Sequence, residues 1–251
     1  MIRKLFTALS FAAATMMAAS ASAAAAAPKV LMVMTSQSQL GSSGQPTGVW
    51  LSELTHPLAL FKQAGVEVEF ASIRGGAIPL DPGSVAEKDA VNAAFLADAQ
   101  SKRKLENTPS VAALTGRKYD AVVLVGGHGT MWDFAGQPAL TKLVRDQWER
   151  GGVLAAVCHG VAGLADVRLA NGKWLLDGRS VTGFSNAEEA AIKLDKVVPY
   201  ALETRLREQG ARYAAGQDFA SHVVVDGRLV TGQNPASAEA MAQAVLKQLG
   251  R

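Results

Sequence analysis

Residues 153–160 read VLAAVCHG, and this segment is the strongest indication of the fold in the sequence. The apolar run 153–157 is typical of a parallel strand that is buried on both faces. Cys158 follows where the chain must turn, and the small residues Ala156 and Gly160 stand two positions on either side of it. A sharp turn from strand to helix needs small residues there, because larger side chains would collide. The stretch predicts a nucleophile elbow at Cys158; a buried structural cysteine at a strand end is the alternative.

The candidate groups around this cysteine follow it directly or end another predicted strand. Backbone N–H groups at the start of the next helix favour a thiolate and can bind an oxyanion, and His159 provides one of them. The His159 side chain is a candidate base, an orienting group or only a polar residue at the sheet edge. Residues 119–125 (YDAVVLV) predict a buried strand that runs into 126–129 (GGHG). There the N–H of Gly127 is a second candidate oxyanion donor and His128 a candidate pocket residue, with a plain turn as the alternative.

The rest of the chain alternates strands with helices, which predicts one α/β sandwich with a mostly parallel sheet. We expect the remaining elements as follows: strands at 29–35 and 66–72, a helix at 49–64 kinked or divided by Pro57, a polar helical insertion at 84–113, a helix at 137–150, short strands at 174–182, mainly helix at 186–209, a hairpin at 221–231 with Asp226-Gly227 as its turn, and a closing helix at 235–249.

The composition is typical of a globular protein, and the N-terminal residues resemble a leader peptide. The protein has 251 residues, of which 49% are hydrophobic and 19% charged. Residues 1–23 have a positive start, an apolar middle and an A-x-A cleavage signal, the secretory pattern, so we expect a signal peptide, a short tail at 24–28 and one domain at 29–251. The mature protein would be periplasmic or secreted and would not span a membrane. Its net charge would fall from +3 to +1, which gives no nucleic-acid footprint.

The single cysteine and the glycine pattern exclude further classes. With Cys158 alone, the chain forms no internal disulfide and no zinc site built on several cysteines. The glycines match neither G-x-G-x-x-G nor a P-loop, so nothing indicates nucleotide binding. A single unpaired cysteine is unusual in an oxidising compartment, which raises the question of what its thiol does.

Six blocks together resemble the ThiJ/PfpI superfamily, whose fold is like that of class I glutamine amidotransferases, and within it the branch of heat-shock chaperones and glutathione-independent glyoxalases. The blocks are VLMVMTS (30–36), TGVWLSELTHPL (47–58), GGHGTMWDF (126–134), GGVLAAVCHG (151–160), SVTGFSNAEE (180–189) and DGRLVTGQNPASA (226–238). Val161 stands where relatives often have proline. The amidotransferase H-x-E motif is not matched, because the late histidine His222 is followed by Val223-Val224.

The resemblance implies a flavodoxin-like three-layer sandwich with a small inserted cap. It also implies a triad of Cys158, His159 and Glu189, with Glu188 one position away as the alternative, and a contact of Glu53 on the first helix with the cysteine. A carboxyl group beside a thiol would be pushed toward its protonated form and could hydrogen-bond the thiolate. We expect no cofactor and no metal. A homodimer is the assembly that the family suggests.

The expected activity is conversion of methylglyoxal or another small 2-oxoaldehyde to a 2-hydroxy acid without glutathione. Three alternatives stay open: a holdase chaperone that binds unfolded protein clients, an amidase or peptidase for small substrates, and a redox sensor based on oxidation of the thiol.

Overall fold

A computed structural model describes residues 26–251. The strands are β1 (Lys29–Met34), β2 (Glu67–Ser72), β3 (Ala121–Leu124), β4 (Val153–Val157), β5 (Ser180–Val181), β6 (Arg212–Tyr213), β7 (Val223–Asp226) and β8 (Leu229–Gly232). The α-helices are α1 (Leu51–Gln63), α2 (Pro82–Val85), α3 (Ala90–Ala97), α4 (Ala99–Glu106), α5 (Thr130–Asp133), α6 (Pro138–Glu149), α7 (Asn186–Ala191), α8 (Leu202–Glu208) and α9 (Ala238–Gln248). Short 3₁₀ helices cover Val111–Leu114, Cys158–Leu164 and Pro235–Ser237.

The central sheet has six strands in the order β2-β1-β3-β4-β8-β7. Every neighbouring pair in it is parallel except β7 with β8. Strands β3 and β4 are adjacent, with Leu124 opposite Ala156. Their carboxyl ends therefore meet at one edge of the sheet, and Gly126 and Cys158 each follow two residues later. For this reason the two predicted loops, one with Gly126 and one with Cys158, lie next to each other.

Helices cover both faces of the sheet, and alternate residues of each strand feed two apolar cores. On one face, Val123 and Ala155 pack with α1 and α9; on the other, Val122 and Leu154 pack with α6 and α8. Both faces are buried, so the strands read as continuous apolar runs instead of alternating patterns. The predicted three-layer α/β sandwich with a mostly parallel sheet is confirmed.

The β2–β3 connection holds the predicted insertion, but as several short helices. Asp98 ends α3 and also caps α4, accepting from the N–H of Ser101 at 2.8 Å. An Asp that bonds nearby backbone N–H groups in this way competes with a continuous helix. On the inner side, Asn92 of α3 contacts Thr55 of α1.

Four other details refine the sequence predictions. The hairpin turn consists of Gly227 and Arg228, because Asp226 is still paired with Leu229; Gly227 has φ +59°, which suits the first central position of a type II′ turn. Pro57 lies inside α1 without dividing it. The short strands expected at 174–182 reduce to β5, and the helical stretch 186–209 is interrupted between α7 and α8.

The predicted signal peptide lies outside the described residues. Within residues 26–251, no helix is both long enough and apolar enough to cross a bilayer.

Candidate active site

Cys158 lies at a strained elbow directly after β4. Its φ is +56°, the left-handed region that costs a non-glycine residue about 1–2 kcal/mol. The residue is only 3% exposed. A Cβ atom on Gly160 would lie 2.5 Å from the carbonyl oxygen of Leu124, so the small residue predicted on that side is sterically required. The chain continues as a 3₁₀ helix over Cys158–Leu164, where the sequence predicted a helix.

His159 connects the thiol to a carboxylate. Its Nδ1 lies 3.3 Å from Cys158 Sγ, and its Nε2 lies 2.7 Å from Oε2 of Glu189. Burial, followed by the charge of the neighbouring His128, lowers the pKa of His159 to about 4, so the imidazole is neutral at pH 7. A neutral imidazole that donates Nε2–H to a carboxylate leaves Nδ1 unprotonated. The lone pair of Nδ1 thus faces the sulfur, where a general base would need it.

His128 also bonds Glu189, which the sequence did not indicate. His128 Nε2 lies 3.0 Å from Oε1 of Glu189, and its ring centroid is 4.1 Å from that of His159. Burial by itself would raise the pKa of Glu189, but hydrogen bonds from His128 and His159 outweigh burial and hold it at about 2. Glu189 is therefore ionised at neutral pH, with one oxygen for each histidine. The sequence placed His128 in the pocket, and only its position at the end of a neighbouring strand hinted at this contact.

Glu188, which the sequence left as the alternative to Glu189, points away from His159. Its carboxylate accepts from the backbone N–H groups of Ser185 at 2.9 Å and of Phe219 at 2.8 Å. It also accepts from Nδ2 of Asn234 at 2.8 Å. Together with Ser185, Glu188 forms the capping box of α7. Of the two acidic neighbours, Glu189 is the one that contacts His159.

Glu53 reaches the site from α1 and is fully buried. Its Oε2 accepts from the N–H of Gly126 at 3.0 Å, and its Oε1 is buried without a hydrogen-bond partner among residues 26–251. The carboxyl group nevertheless interacts with the Cys158 thiol, and burial raises the pKa of Glu53 to about 8. The group is mostly protonated at neutral pH, and a protonated carboxyl can donate a hydrogen bond to sulfur.

Two backbone N–H groups, those of His159 and Gly127, interact with the sulfur and lower the pKa of Cys158. Burial and the negative charge of ionised Glu53 outweigh them, so the pKa of the thiol is raised. The elbow alone was expected to favour a thiolate, and burial overrides that effect. Gly127 has φ +105°, and a Cβ there would lie 2.2 Å from the carbonyl oxygen of Gly48, so glycine is needed to present this N–H.

His128, His159 and Glu189 also form the group of described residues whose ligand atoms converge, all within 4.8 Å of one another. Two histidines and a carboxylate are a ligand set that zinc uses. Here each Nε2 faces its own carboxylate oxygen at hydrogen-bond distance, so hydrogen bonding already accounts for the convergence.

A buried cysteine at a strand-to-helix elbow, next to a histidine at the carboxyl edge of a parallel sheet, defines a class of α/β proteins. Within this class the chain belongs to the DJ-1/PfpI family, whose sequence pattern matches residues 46–248. The resemblance inferred from the six sequence blocks is therefore confirmed.

Named relatives cover nearly the whole chain. The glutathione-independent glyoxalase HSP31 of Saccharomyces cerevisiae is 33% identical over 228 residues, which is 85% of this chain and 94% of that protein. The solved structure of Rapid Encystment Protein 24 kDa of Francisella tularensis is 43% identical, with a TM-score of 0.86, over 88% of this chain and 99% of the other. Glyoxalase III of Candida albicans is 28% identical, with a TM-score of 0.82, over 88% and 97% of the two chains.

Proposed function

We propose that this protein is a glutathione-independent glyoxalase that converts methylglyoxal or a related 2-oxoaldehyde to a 2-hydroxy acid. The observation that carries the proposal is the hydrogen-bonded series Cys158–His159–Glu189, in which the unprotonated Nδ1 faces the sulfur at 3.3 Å. The names of two relatives, HSP31 of yeast and glyoxalase III of Candida albicans, support the same activity.

The first step is attack of sulfur on the aldehyde carbon. His159 Nδ1 takes the thiol proton while Sγ bonds to C1, and the carbonyl oxygen becomes the oxyanion of a hemithioacetal. The N–H groups of Gly127 and His159 are the donors for this oxyanion. The imidazolium that forms donates Nε2–H to ionised Glu189, and the nearby negative charge stabilises it.

The second step moves a hydrogen within the substrate. After His159 returns its proton to the oxyanion it is neutral again and removes the proton from C1, and the electron pair moves to the carbonyl oxygen of C2, which gives an enediolate across C1 and C2. His159 then returns this proton to C2 while the proton of the C1 hydroxyl moves to the oxygen of C2, which leaves an alcohol at C2 and a thioester at C1. The aldehyde carbon is oxidised and the ketone carbon reduced, so the electrons stay in the substrate. Water finally cleaves the thioester, releasing the 2-hydroxy acid and the thiol.

Glu53 adjusts the sulfur during these steps. As a protonated carboxyl it donates a hydrogen bond to the thiolate, which lowers the cost of forming that anion in a buried site. When the carboxyl loses its proton, its negative charge opposes the thiolate instead. The carboxyl therefore supports attack only while it is protonated.

Lactate formation from methylglyoxal without glutathione tests the proposal. Cys158→Ala should abolish turnover, because Cys158 is the single cysteine of the sequence, and Cys158→Ser should retain only a trace, since a hydroxyl loses its proton far less readily than a thiol. If reduced and folded wild-type protein makes no lactate, or if Cys158→Ala retains most of the activity, the proposal fails.

A further inference from the structure

An aromatic row leads from the reacting histidine to solvent. The ring of Phe184 lies 4.4 Å from that of His159, centroid to centroid, and the ring of Phe219 lies 6.3 Å beyond Phe184. Both distances suit aromatic packing. Exposure rises along the row, from fully buried His159 through Phe184 at 5% to Phe219 at 49%.

Phe219 is held in a conformation that a bulky residue rarely adopts. It lies in the turn Gln217–Ala220, which is closed by the N–H of Ala220 donating to the Gln217 carbonyl oxygen at 3.2 Å. Its φ is +58°, where glycine or asparagine is the usual residue. Such strain persists only where the surrounding structure enforces it, and it concentrates at functional positions.

Buried groups of the fold enforce this conformation. The N–H of Phe219 donates to Oε1 of Glu188 at 2.8 Å, and Nδ2 of Asn234 donates to the carbonyl oxygen of Ala220 at 2.8 Å. Asn234 also bonds Glu188, so the two side chains together hold the backbone at Phe219 and at Ala220. Glu188 immediately precedes Glu189 on α7. The turn that presents Phe219 is thus fixed to the same helix turn that carries the carboxylate of the site.

Exposure alone would not distinguish this residue. Val225 is 48% exposed, but it lies on the regular strand β7 opposite Val230 and does not have the left-handed backbone of Phe219. Phe219 combines exposure with backbone strain, with buried polar anchors and with stacking toward His159.

We propose that Phe219 determines substrate specificity by contacting the variable group R of a 2-oxoaldehyde, R–CO–CHO, and that it favours apolar and aromatic R groups. This inference rests on the proposed function. The two carbonyl carbons must lie at Cys158 and His159, so R is the part of the substrate that varies and extends outward. The aromatic row gives R an apolar wall that ends in a ring accessible from solvent.

The ratio of kcat/KM for phenylglyoxal to that for methylglyoxal tests the inference. Phe219→Gly removes the ring and relieves the backbone at φ +58°, so it should fold. We expect a loss of about 5- to 10-fold for phenylglyoxal and less than about 2-fold for methylglyoxal. Phe219→Tyr should keep the wild-type ratio, and Val225→Ala is the matched loss of an exposed apolar side chain, which should also keep it. An unchanged ratio in Phe219→Gly, or an equal loss on both substrates, overturns the inference.

A second measurement separates this inference from the proposed function. Alkylation of Cys158 by N-phenyl iodoacetamide and by plain iodoacetamide needs no glyoxalase turnover. Phe219→Gly should slow the phenyl reagent relative to the plain one by a similar factor. A wild type that makes no lactate refutes the glyoxalase proposal, while an alkylation ratio that Phe219→Gly leaves unchanged refutes the role of the ring. A change in sedimentation with both ratios unchanged would assign the ring to contact between copies of the chain and also overturn the inference.

Discussion

Replacing Glu189 with glutamine tests the electrostatic core of the site. The carboxylate is ionised at neutral pH because its pKa is about 2, and it accepts from His159 at 2.7 Å and from His128 at 3.0 Å. When His159 takes the thiol proton, two opposite charges face each other in a buried site. At an effective dielectric constant of about 20, unit charges about 4 Å apart attract by about 4 kcal/mol. Removing the charge should therefore lower kcat/KM by about 10³-fold.

Glutamine also offers one acceptor where two histidines donate. The carbonyl oxygen of Gln can accept from only one ring, and its amide nitrogen then faces the other ring. That second ring must change tautomer, so that its Nε2 is unprotonated and accepts from the amide. If that ring is His159, Nδ1 gains the proton and can no longer accept one from sulfur. The loss of charge acts in either orientation, so the direction of the effect does not depend on which ring yields.

The assay is the initial rate of lactate formation at pH 7 without glutathione, with thermal unfolding recorded for every variant. Glu188→Gln is the matched comparison, since it makes the same change one residue away on α7. Its partners are backbone N–H groups and Asn234, so it should lower Tm while kcat/KM for methylglyoxal stays within about 10-fold of wild type. A folded Glu189→Gln protein that keeps kcat/KM within about 5-fold of wild type would refute the role given to this carboxylate.

Three further predictions concern pH and sterics. Glu53 has a pKa raised to about 8, so the folded state holds a proton that the unfolded state has lost, and stability should fall as pH rises from about 5 through 8; Glu53→Gln should flatten Tm between pH 6 and 9, and an unchanged slope would contradict the burial argument. His159, with its pKa lowered to about 4, and Glu189, at about 2, act in the other direction: for these groups the unfolded state binds more protons below pH 6.5, so stability should decline on acidification once Glu53→Gln has removed the opposing titration, and denaturant midpoints of Glu53→Gln that rise from pH 6 to pH 4 would contradict this. Gly160→Ala should lower Tm markedly, because the new Cβ would meet the Leu124 carbonyl oxygen at 2.5 Å, and a melting curve that matches wild type would show that the elbow can relax.

The sequence predicted the fold well where the pattern is local. Continuous apolar runs at 119–125 and 153–157 mark strands buried on both faces, and small residues beside Cys158 mark the elbow. Errors arose where competing local signals decide a boundary. Asp226-Gly227 is a strong turn signal, yet the strand pairing extends through Asp226 and moves the turn by one residue. Asp98 breaks the predicted insertion by capping a second helix.

The site was predictable in its parts but not in its connections. Residues adjacent in sequence, such as Cys158 and His159, could be paired from the chain alone. Choosing between Glu188 and Glu189 requires the position of the helix cap, since consecutive residues on a helix point about 100° apart. Two features arise from tertiary packing and are not predicted by any local pattern: the contact of His128 with Glu189 and the left-handed backbone of Phe219.

The arrangement of Glu188 and Glu189 has a consequence for engineering. The two carboxylates occupy successive positions of α7, one facing the histidines and one facing the turn that presents Phe219. A single-residue deletion between β5 and α7 would rotate the helix by about 100°, which would move Glu189 to the position of Glu188 and leave Ala190 facing the histidines. Grafting α7 and the turn 217–220 together from a relative should therefore transfer catalytic competence and substrate preference as one unit, whereas grafting either segment alone should disrupt both.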